Sequence, residues 1–173
     1  VFPVTAAGSD TAFLVLVEDI EDLLIDLFTI RAKTLVEFSP DELQTLEVST
    51  ADGATHTLSR NGDEWTAEGG ELGENDVVDM LWDLNYLDMD AVVQEWDGAA
   101  PDLSPYGLSP ARYRIVASGT NGVIADVRIG DEITTDGEAA TRVYAMIDER
   151  PAVFEISAVL ADLLAGLLES LGS

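Results

Sequence analysis

The chain has 173 residues, close to the usual length of one domain, and 47% of them are apolar, so one packed core is expected. Its 34 acidic residues outnumber 8 Lys and Arg, and the formal net charge of -26 excludes nucleic acid and bare anionic membrane as partners, because both bind through basic side chains. The chain has no cysteine, which excludes disulfides, thiolate metal sites and cysteine nucleophiles.

The acidity has two interpretations. The acids are spread along the whole chain, as on a surface adapted to high salt or selected for solubility. Alternatively, part of this charge attracts cations or a basic partner.

The first predicted elements are a buried strand over residues 12–17 and an amphipathic helix over residues 18–31, whose apolar residues recur at helical spacing. Ser39, Pro40 and Glu42 then predict a capping box at a short turn. A strand is expected to follow over residues 44–49.

Two apolar segments, residues 12–30 and 156–171, have some resemblance to membrane spans. Acidic residues interrupt both segments, and the second is also too short to cross a bilayer. No direct membrane insertion is therefore predicted.

The sequence Asn61-Gly62 is the strongest local turn signal, and it predicts a two-residue hairpin loop between strands over residues 54–60 and 63–68. The register that this loop sets pairs Leu58 with Trp65, His56 with Ala67 and Arg60 with Asp63.

Residues 74–87 are predicted to form a helix. The side chains that it is expected to bury are Val77, Val78, Leu81 and Leu84, with Trp82 alongside. A strand over residues 91–96 follows, and residues 97–110 have the glycine and proline content of a loop.

A second hairpin is predicted between residues 111–117 and residues 123–129. With a three-residue loop over residues 120–122, every apolar residue of both strands shares one face. The pairs are then Ala117 with Ala125, Ile115 with Val127 and Tyr113 with Ile129. A two-residue loop would set Ile115 against Arg128, so we favour the three-residue loop.

Further strands are predicted over residues 142–147 and 152–155, and a last helix begins at Ser157 with a stripe of leucines. The start of the chain resembles this segment. Residues 1–4 align with residues 143–146, and Ala12-Phe13-Leu14 aligns with Ala152-Val153-Phe154. The similarity indicates either a repeated hairpin-helix unit or a chance likeness of two apolar segments.

Together these elements predict an α+β fold, with antiparallel β-hairpins forming a sheet packed against three amphipathic helices and the hairpin-helix element repeated at the two ends. One compact domain is expected. Residues 1–34 form the first hairpin-helix element, which is either the end of a preceding repeat or the N-terminal part of the same domain. Residues 35–173 form the main unit.

No catalytic, cofactor-binding or metal-binding constellation is recognisable. His56 is the single histidine, and a catalytic triad or a histidine metal site needs further partners beside it. Two groups of acids suggest calcium: Asp83, Asp88, Asp90 and Asp97, and Asp131, Glu132 and Asp136. Neither group has the spacing of a calcium-binding loop. Carboxylate pairs suited to a hydrolase arise by chance among so many acids.

Five segments occur in the order typical of the bacterial domain-of-unknown-function family 4340. They are Arg31-x-Lys33-x-Leu35 through Phe38, Trp65 with its hairpin Asn61-Gly62-Asp63-Glu64, Tyr106-Gly107-Leu108-Ser109-Pro110, Ile129-Gly130, and Val143-Tyr144. The chain resembles this family over residues 30–164.

The resemblance implies an extracytoplasmic domain, tethered by an N-terminal transmembrane helix in the full-length protein and associated with ABC-type transport or gliding-motility systems. It implies no reaction. The matched residues are expected to be structural: Arg31, Lys33, Trp65, Tyr106, Gly107, Leu108, Pro110, Gly130 and Tyr144.

The sequence therefore favours a non-catalytic extracytoplasmic interaction or scaffold domain, without a cofactor, whose protein partner belongs to a membrane transport or envelope system. The alternative is a small-molecule or cation-binding domain, with a cleft near Tyr106, Trp82 and Trp96 or an acidic cluster as its site. The oligomeric state is left open.

Overall fold

The computed structural model describes residues 2–5, 12–15, 32–67, 72, 75–134 and 139–172. The chain divides into two compact units, Val1–Ala32 and Lys33–Ser173.

In the first unit, β1 (Phe2–Thr5) and β2 (Ala12–Val15) form an antiparallel hairpin. Phe2 pairs with Val15, and Pro3 pairs with Leu14. The predicted helix over residues 18–31 lies outside the described residues.

The second unit contains eight strands and two α-helices within its described residues. The strands are β3 (Leu43–Thr50), β4 (Thr55–Asn61), β5 (Glu64–Ala67), β6 (Met89–Glu95), β7 (Tyr113–Gly119), β8 (Gly122–Ile133), β9 (Arg142–Ile147) and β10 (Arg150–Ser157). The helices are α1 (Asp76–Asn85) and α2 (Val159–Leu171). The strands form one sheet in the order β5-β4-β3-β7-β8-β9-β10-β6, and all neighbours are antiparallel.

The predicted α+β fold, with hairpins packed against three amphipathic helices, is wrong. One eight-stranded antiparallel sheet dominates the described residues, which include only two α-helices. Separate hairpins join edge to edge, because β3 pairs with β7 and β10 pairs with β6. Such pairings between distant segments leave no local sequence signal, so the extent of the sheet was not predictable from hairpin patterns alone.

Alternate residues of the strands form one continuous buried face. Cross-strand rows include Leu58, Leu46, Ala117 and Ala125; Val48, Ile115, Val127 and Ile147; and Ile129, Ala145 and Phe154. The two helices pack against each other and bury a matching set, which includes Met80, Leu84, Leu160 and Leu164. The helices therefore cover this face, and each fully buried aliphatic side chain contributes about 1.5–3 kcal/mol to stability.

The register predicted for the second hairpin is confirmed. Tyr113 pairs with Ile129, Ile115 with Val127 and Ala117 with Ala125. The loop itself is shorter than predicted, because Gly119 pairs with Gly122 and leaves two loop residues. An extra residue in β8, Ile124, makes a bulge that restores the apolar register.

The register predicted for the first hairpin is wrong. Leu58 pairs with Ala67, Arg60 with Trp65 and Asn61 with Glu64. The loop is Gly62-Asp63 rather than Asn61-Gly62, and Gly62 has a φ of 68° at its first position. The predicted contact between Arg60 and Asp63 is nevertheless present as a 3.9 Å ion pair.

The predicted capping box is absent from the turn at Pro40–Glu42. This turn is a single 3-10 turn with no side-chain cap, and the backbone N–H of Glu42 donates to the carbonyl of Ser39 at 2.9 Å. Arg60 holds the turn instead, because its guanidinium donates to the carbonyl of Pro40 and to the carboxylate of Asp41.

The hairpins at the two ends of the chain correspond in part of their register, up to the register shift in β10 between Arg150 and Phe154. Phe2 aligns with Tyr144 and Val15 with Glu155, and both pairs face each other across their hairpins. The helix that would complete the first hairpin-helix element lies outside the described residues. Among the helices that are described, none is long and apolar enough to cross a lipid bilayer.

Candidate functional site

The exposed apolar side chains of α1 and of Tyr86, the residue that follows its last turn, form one stripe. Val78, Trp82 and Tyr86 follow one another at four-residue spacing, and they are 43%, 55% and 63% exposed. The rings of Trp82 and Tyr86 stack nearly parallel, with centroids 5.6 Å apart and 10° between their planes. We call these three residues the α1 stripe.

The prediction that Val78 is buried is wrong. Val77 faces the core, and the next residue along a helix lies about 100° around the axis. Met80 takes the core position that was assigned to Val78. Neither Val78 nor Tyr86 was identified from the sequence as a functional residue, although their spacing with Trp82 was the signal that would have grouped them.

A cavity of about 150 Å³ opens beside Tyr86. Its lining combines the Tyr86 ring with Val159, which is half exposed at the start of α2. Three carboxylates, those of Asp83, Asp88 and Asp90, complete this acidic cavity. None of them takes part in an ion pair between described residues.

The segment before β3 fixes the end of α1. Asn85 is a buried polar residue, and its Oδ1 accepts a hydrogen bond from the backbone N–H of Phe38 at 2.7 Å. The N–H of Leu35 donates to the carbonyl of Leu87, and the N–H of Met89 donates to the carbonyl of Lys33. These bonds satisfy the backbone around the helix terminus, so the stripe and the acidic cavity are held on an ordered support.

The α1 stripe belongs to an acidic and aromatic part of the sequence. Residues 61–111 contain 13 Asp and Glu, no Lys, Arg or His, and all three tryptophans. The described arginines lie in or beside other strands of the sheet: Arg60, Arg112, Arg114, Arg128, Arg142 and Arg150. The electrostatic potential around the stripe is therefore negative.

A second, smaller core lies on the opposite face of the sheet. Residues 97–110, which we call the strap, bring Leu103 and Leu108 onto Val153 of β10. Trp96, Tyr106, Tyr144 and Met146 pack around them and are half-buried. Tyr144 and Met146 alternate with buried residues of the helix-covered face, so the strap covers the other side.

Tyr106 connects the strap to the sheet through two contacts. Its ring meets that of Tyr144 edge-on, with centroids 5.1 Å apart, and its hydroxyl donates to Oε1 of Gln94 at 2.9 Å. The three residues predicted around one cleft thus lie in two places. Tyr106 and Trp96 share the second core, whereas Trp82 lies in the α1 stripe.

Two glycines allow the strap to lie against β8. A Cβ on Gly130 would be 2.0 Å from the carbonyl oxygen of Tyr106. Gly107 has a φ of 63°, and its Cβ would be 2.7 Å from the backbone nitrogen of Asp131. Leu108 is buried next to this crossing, and the Ser109–Pro110 peptide bond is cis.

The remaining residues of the family resemblance are dispersed. Trp65 is half-buried on β5, where it faces Arg60, and Tyr144 belongs to the second core. Lys33 contributes its backbone carbonyl to the start of β6. Arg31 lies outside the described residues.

Ion pairs occupy the part of the sheet that the strap leaves uncovered. Arg114 and Arg128 face each other across β7 and β8, and each binds a carboxylate. Arg114 forms a two-pronged pair with Asp126, at 2.9 and 2.5 Å, and Arg128 binds Asp148 at 3.1 Å. The hydrogen bonds from Arg114 lower the pKa of Asp126, and the same contact raises the pKa of Arg114.

Another cavity, of about 300 Å³, lies between residues 35–37, the start of β8 and the β9–β10 turn. Leu35, Val36 and Ile147 form part of its lining, and Glu37 and Glu149 place carboxylates around it. Its size is at the lower end of the range for small-molecule sites.

The described carboxylates with displaced pKa values do not resemble a general acid. Hydrogen bonds from Thr50, from the backbone of Ser104 and from Arg114 lower the pKa values of Asp52, Asp102 and Asp126, respectively. A catalytic acid in a hydrolase needs a raised pKa. Within the described part of the chain, no group of three or more His, Asp or Glu residues is arranged to hold a metal ion. Asp136, from one of the two predicted acidic groups, lies outside that part.

His56 lies on β4, between the exposed residues Thr55 and Thr57. It faces Val48 across the β3–β4 hairpin and is half-buried.

Over the described residues, the fold and the exposed groups define a class: an antiparallel β-sheet domain with two helices, one of which presents aromatic side chains to solvent. The chain belongs to the domain-of-unknown-function family 4340, whose model matches residues 4–111. The match includes the segments around Lys33, Trp65 and Tyr106 and ends before Gly130 and Tyr144. Comparisons with curated proteins and with solved structures found no match.

Proposed function

We propose that this domain is a non-catalytic protein-interaction module of an extracytoplasmic membrane transport or envelope assembly. The α1 stripe is the observation that carries the proposal. Exposed Trp and Tyr side chains that lie together on an ordered element are the side chains that most often dominate protein–protein binding energy.

The exposure of the stripe is not required by the fold. The same helix buries Val77, Met80, Leu81 and Leu84, so its contact with the core is complete without the stripe. A Trp and a Tyr that remain more than half exposed contribute little to folding, and covering them would release water from apolar surface.

The charge of the chain restricts the partner. A net charge of -26 disfavours nucleic acid and anionic lipid, whereas protein surfaces commonly bind through aromatic anchors such as Trp and Tyr. The extracytoplasmic location and the association with transport or envelope systems come from the family resemblance and are part of the proposal.

Site-specific photo-crosslinking in cells tests this function. A photoreactive residue replaces Val78 in the full-length protein, and the matched control replaces Val123, which is 65% exposed at the start of β8. We expect position 78, and not position 123, to crosslink to a component of a membrane transport or envelope assembly identified by mass spectrometry. No crosslink at position 78, or the same crosslinked proteins at both positions, would contradict the proposal.

The 300 Å³ cavity favours a second candidate, a small-molecule or cation-binding domain. Thermal unfolding of the purified chain with calcium, magnesium or common periplasmic solutes would detect it. A ligand at about 100 times its dissociation constant adds about 2.7 kcal/mol to the free energy of unfolding. Unchanged unfolding with all of them would remove this candidate.

A further inference from the structure

We propose that the partner segment that docks on the α1 stripe is a basic amphipathic helix, with its apolar side on the stripe and a Lys or Arg side chain in the acidic cavity. This inference rests on the proposed function and adds the chemistry of the partner. Its basis is the position of exposed aromatic rings beside carboxylates that form no ion pair between described residues.

The acidic cavity suits a cationic side chain. Asp83, Asp88 and Asp90 carry their charges into a space of about 150 Å³, and Tyr86 and Val159 supply apolar walls. A Lys or Arg side chain combines an aliphatic stem with a charged head, so the stem would lie against Tyr86 while the head meets the carboxylates.

The stacked rings of Trp82 and Tyr86 provide a second binding position for a cationic side chain. Guanidinium and ammonium groups bind over the faces of Trp and Tyr rings. The Trp82–Tyr86 stack leaves both rings more than half exposed, and Asp79 and Asp83 form the adjacent row on α1. Cations near the rings would therefore also lie near carboxylates.

The backbone of Lys33 borders the start of β6, but no ion pair between described residues involves Asp83, Asp88 or Asp90. Residues 61–111 lack basic side chains altogether, whereas the sheet carboxylates of Asp126, Asp148 and Glu155 are paired with arginines. An apolar stripe on a helix is also a feature of membrane-surface helices, but those carry Lys and Arg at the edges of the stripe, where this helix carries Asp. The charge pattern favours a basic protein segment over a lipid surface.

The test titrates the purified chain with a labelled amphipathic helical peptide of Leu and Lys, about 18 residues long so that it can form a stable helix. The comparison peptide has Glu in place of Lys. Vesicles of equal parts phosphatidylcholine and phosphatidylglycerol are the third probe. We expect binding of the Lys peptide alone.

Two triple variants separate a local site from the overall negative field. The first is Asp83→Asn with Asp88→Asn and Asp90→Asn. The control is Glu42→Gln with Glu47→Gln and Glu64→Gln, which removes the same charge from exposed positions on and beside β3 and β5, near the other edge of the sheet. Because salt screens charges beyond about 8 Å, we expect the first variant to weaken binding about tenfold and the control about twofold or less. Trp82→Ala should also weaken binding about tenfold, and Val123→Ala should not.

Equal weakening by the two triple variants, binding of the Glu peptide, or binding of vesicles that depends on Trp82 would overturn the inference. So would failure of the Lys peptide to bind. If the Lys peptide fails while the crosslink at position 78 persists, the partner is not basic and the proposed function stands. If the peptide behaves as expected but no crosslink forms in cells, the surface chemistry is correct and the proposed function fails.

Discussion

The carbonyl oxygen of Tyr106 lies over Gly130, so close that a Cβ at position 130 would be 2.0 Å away from it. The strap and β8 therefore touch backbone to backbone at this point. The contact joins two sequence segments that are 24 residues apart and that both carry the family resemblance, and it explains why each contains glycine.

We expect Gly130→Ala to destabilise the fold by about 1–3 kcal/mol, because the new methyl group would force the strap away from β8. The matched control is Gly166→Ala in α2, where a Cβ would have nothing within 4 Å. Alanine has a higher helix propensity than glycine, so the control substitution should raise the free energy of unfolding by about 0.5–1 kcal/mol. Urea unfolding measures both, and an unchanged midpoint for Gly130→Ala would contradict the close crossing.

The hydroxyl of Tyr106 is the polar anchor of the strap. Tyr106→Phe keeps the edge-on contact with Tyr144 and removes the hydrogen bond to Gln94, so we expect a loss of about 0.5–1.5 kcal/mol in the free energy of unfolding. Tyr86→Phe changes the hydroxyl of an exposed side chain and should alter stability by less than about 0.5 kcal/mol. Equal effects of the two substitutions would show that the strap does not depend on this bond.

The sequence predicted local elements better than their assembly. The second hairpin was placed in its correct register because one alignment alone puts Tyr113, Ile115 and Ala117 on the same face as their apolar partners. In the first hairpin the polar residues beside the turn did not distinguish two registers, and the conformation of Gly62 decided between them. The pairing of β3 with β7 joins segments about 70 residues apart, and only the folded chain reveals it.

The candidate site was predictable in part. Helical spacing located α1, but it did not distinguish Val78 from Val77, because both are apolar and adjacent. The acidic cavity depends on Val159 and Ser157 approaching Asp83 and Asp88 from the end of β10 and the start of α2. That approach follows from sheet order, which local patterns do not contain.

The Arg114–Asp126 pair makes a contribution to stability that depends on pH. The pKa of Asp126 is lowered in the folded state, so its contribution is present above the carboxyl's unfolded pKa and is lost as pH falls through the lower, folded pKa. We expect Asp126→Asn to cost about 1 kcal/mol at about pH 7, a value reduced by the solvent exposure of Arg114. The cost should shrink as pH falls through the lowered, folded pKa of Asp126 and the carboxyl protonates.

Urea unfolding of Asp126→Asn at several pH values checks this difference directly. Comparison with the parent chain is needed because protonation of the many other acids also relieves repulsion. Asp41→Asn is the control, since Asp41 is 89% exposed and accepts a single 3.3 Å bond, from Arg60 in another part of the sheet. A deficit of Asp126→Asn that is as large in acid as at neutral pH would contradict the role of the charge.

The final prediction separates a binding surface from a structural one. If the α1 stripe is reserved for a partner, Trp82→Ala should change the free energy of unfolding by less than about 1 kcal/mol, because Trp82 is 55% exposed and alanine favours the helix. Leu84→Ala, two residues further on the same helix, removes a fully buried side chain and should cost about 2–5 kcal/mol. Calorimetry of the two variants measures the contrast. A Trp82→Ala variant as unstable as Leu84→Ala would mean that the stack with Tyr86 supports the helix itself, and the exposure of the stripe would then need no partner to explain it.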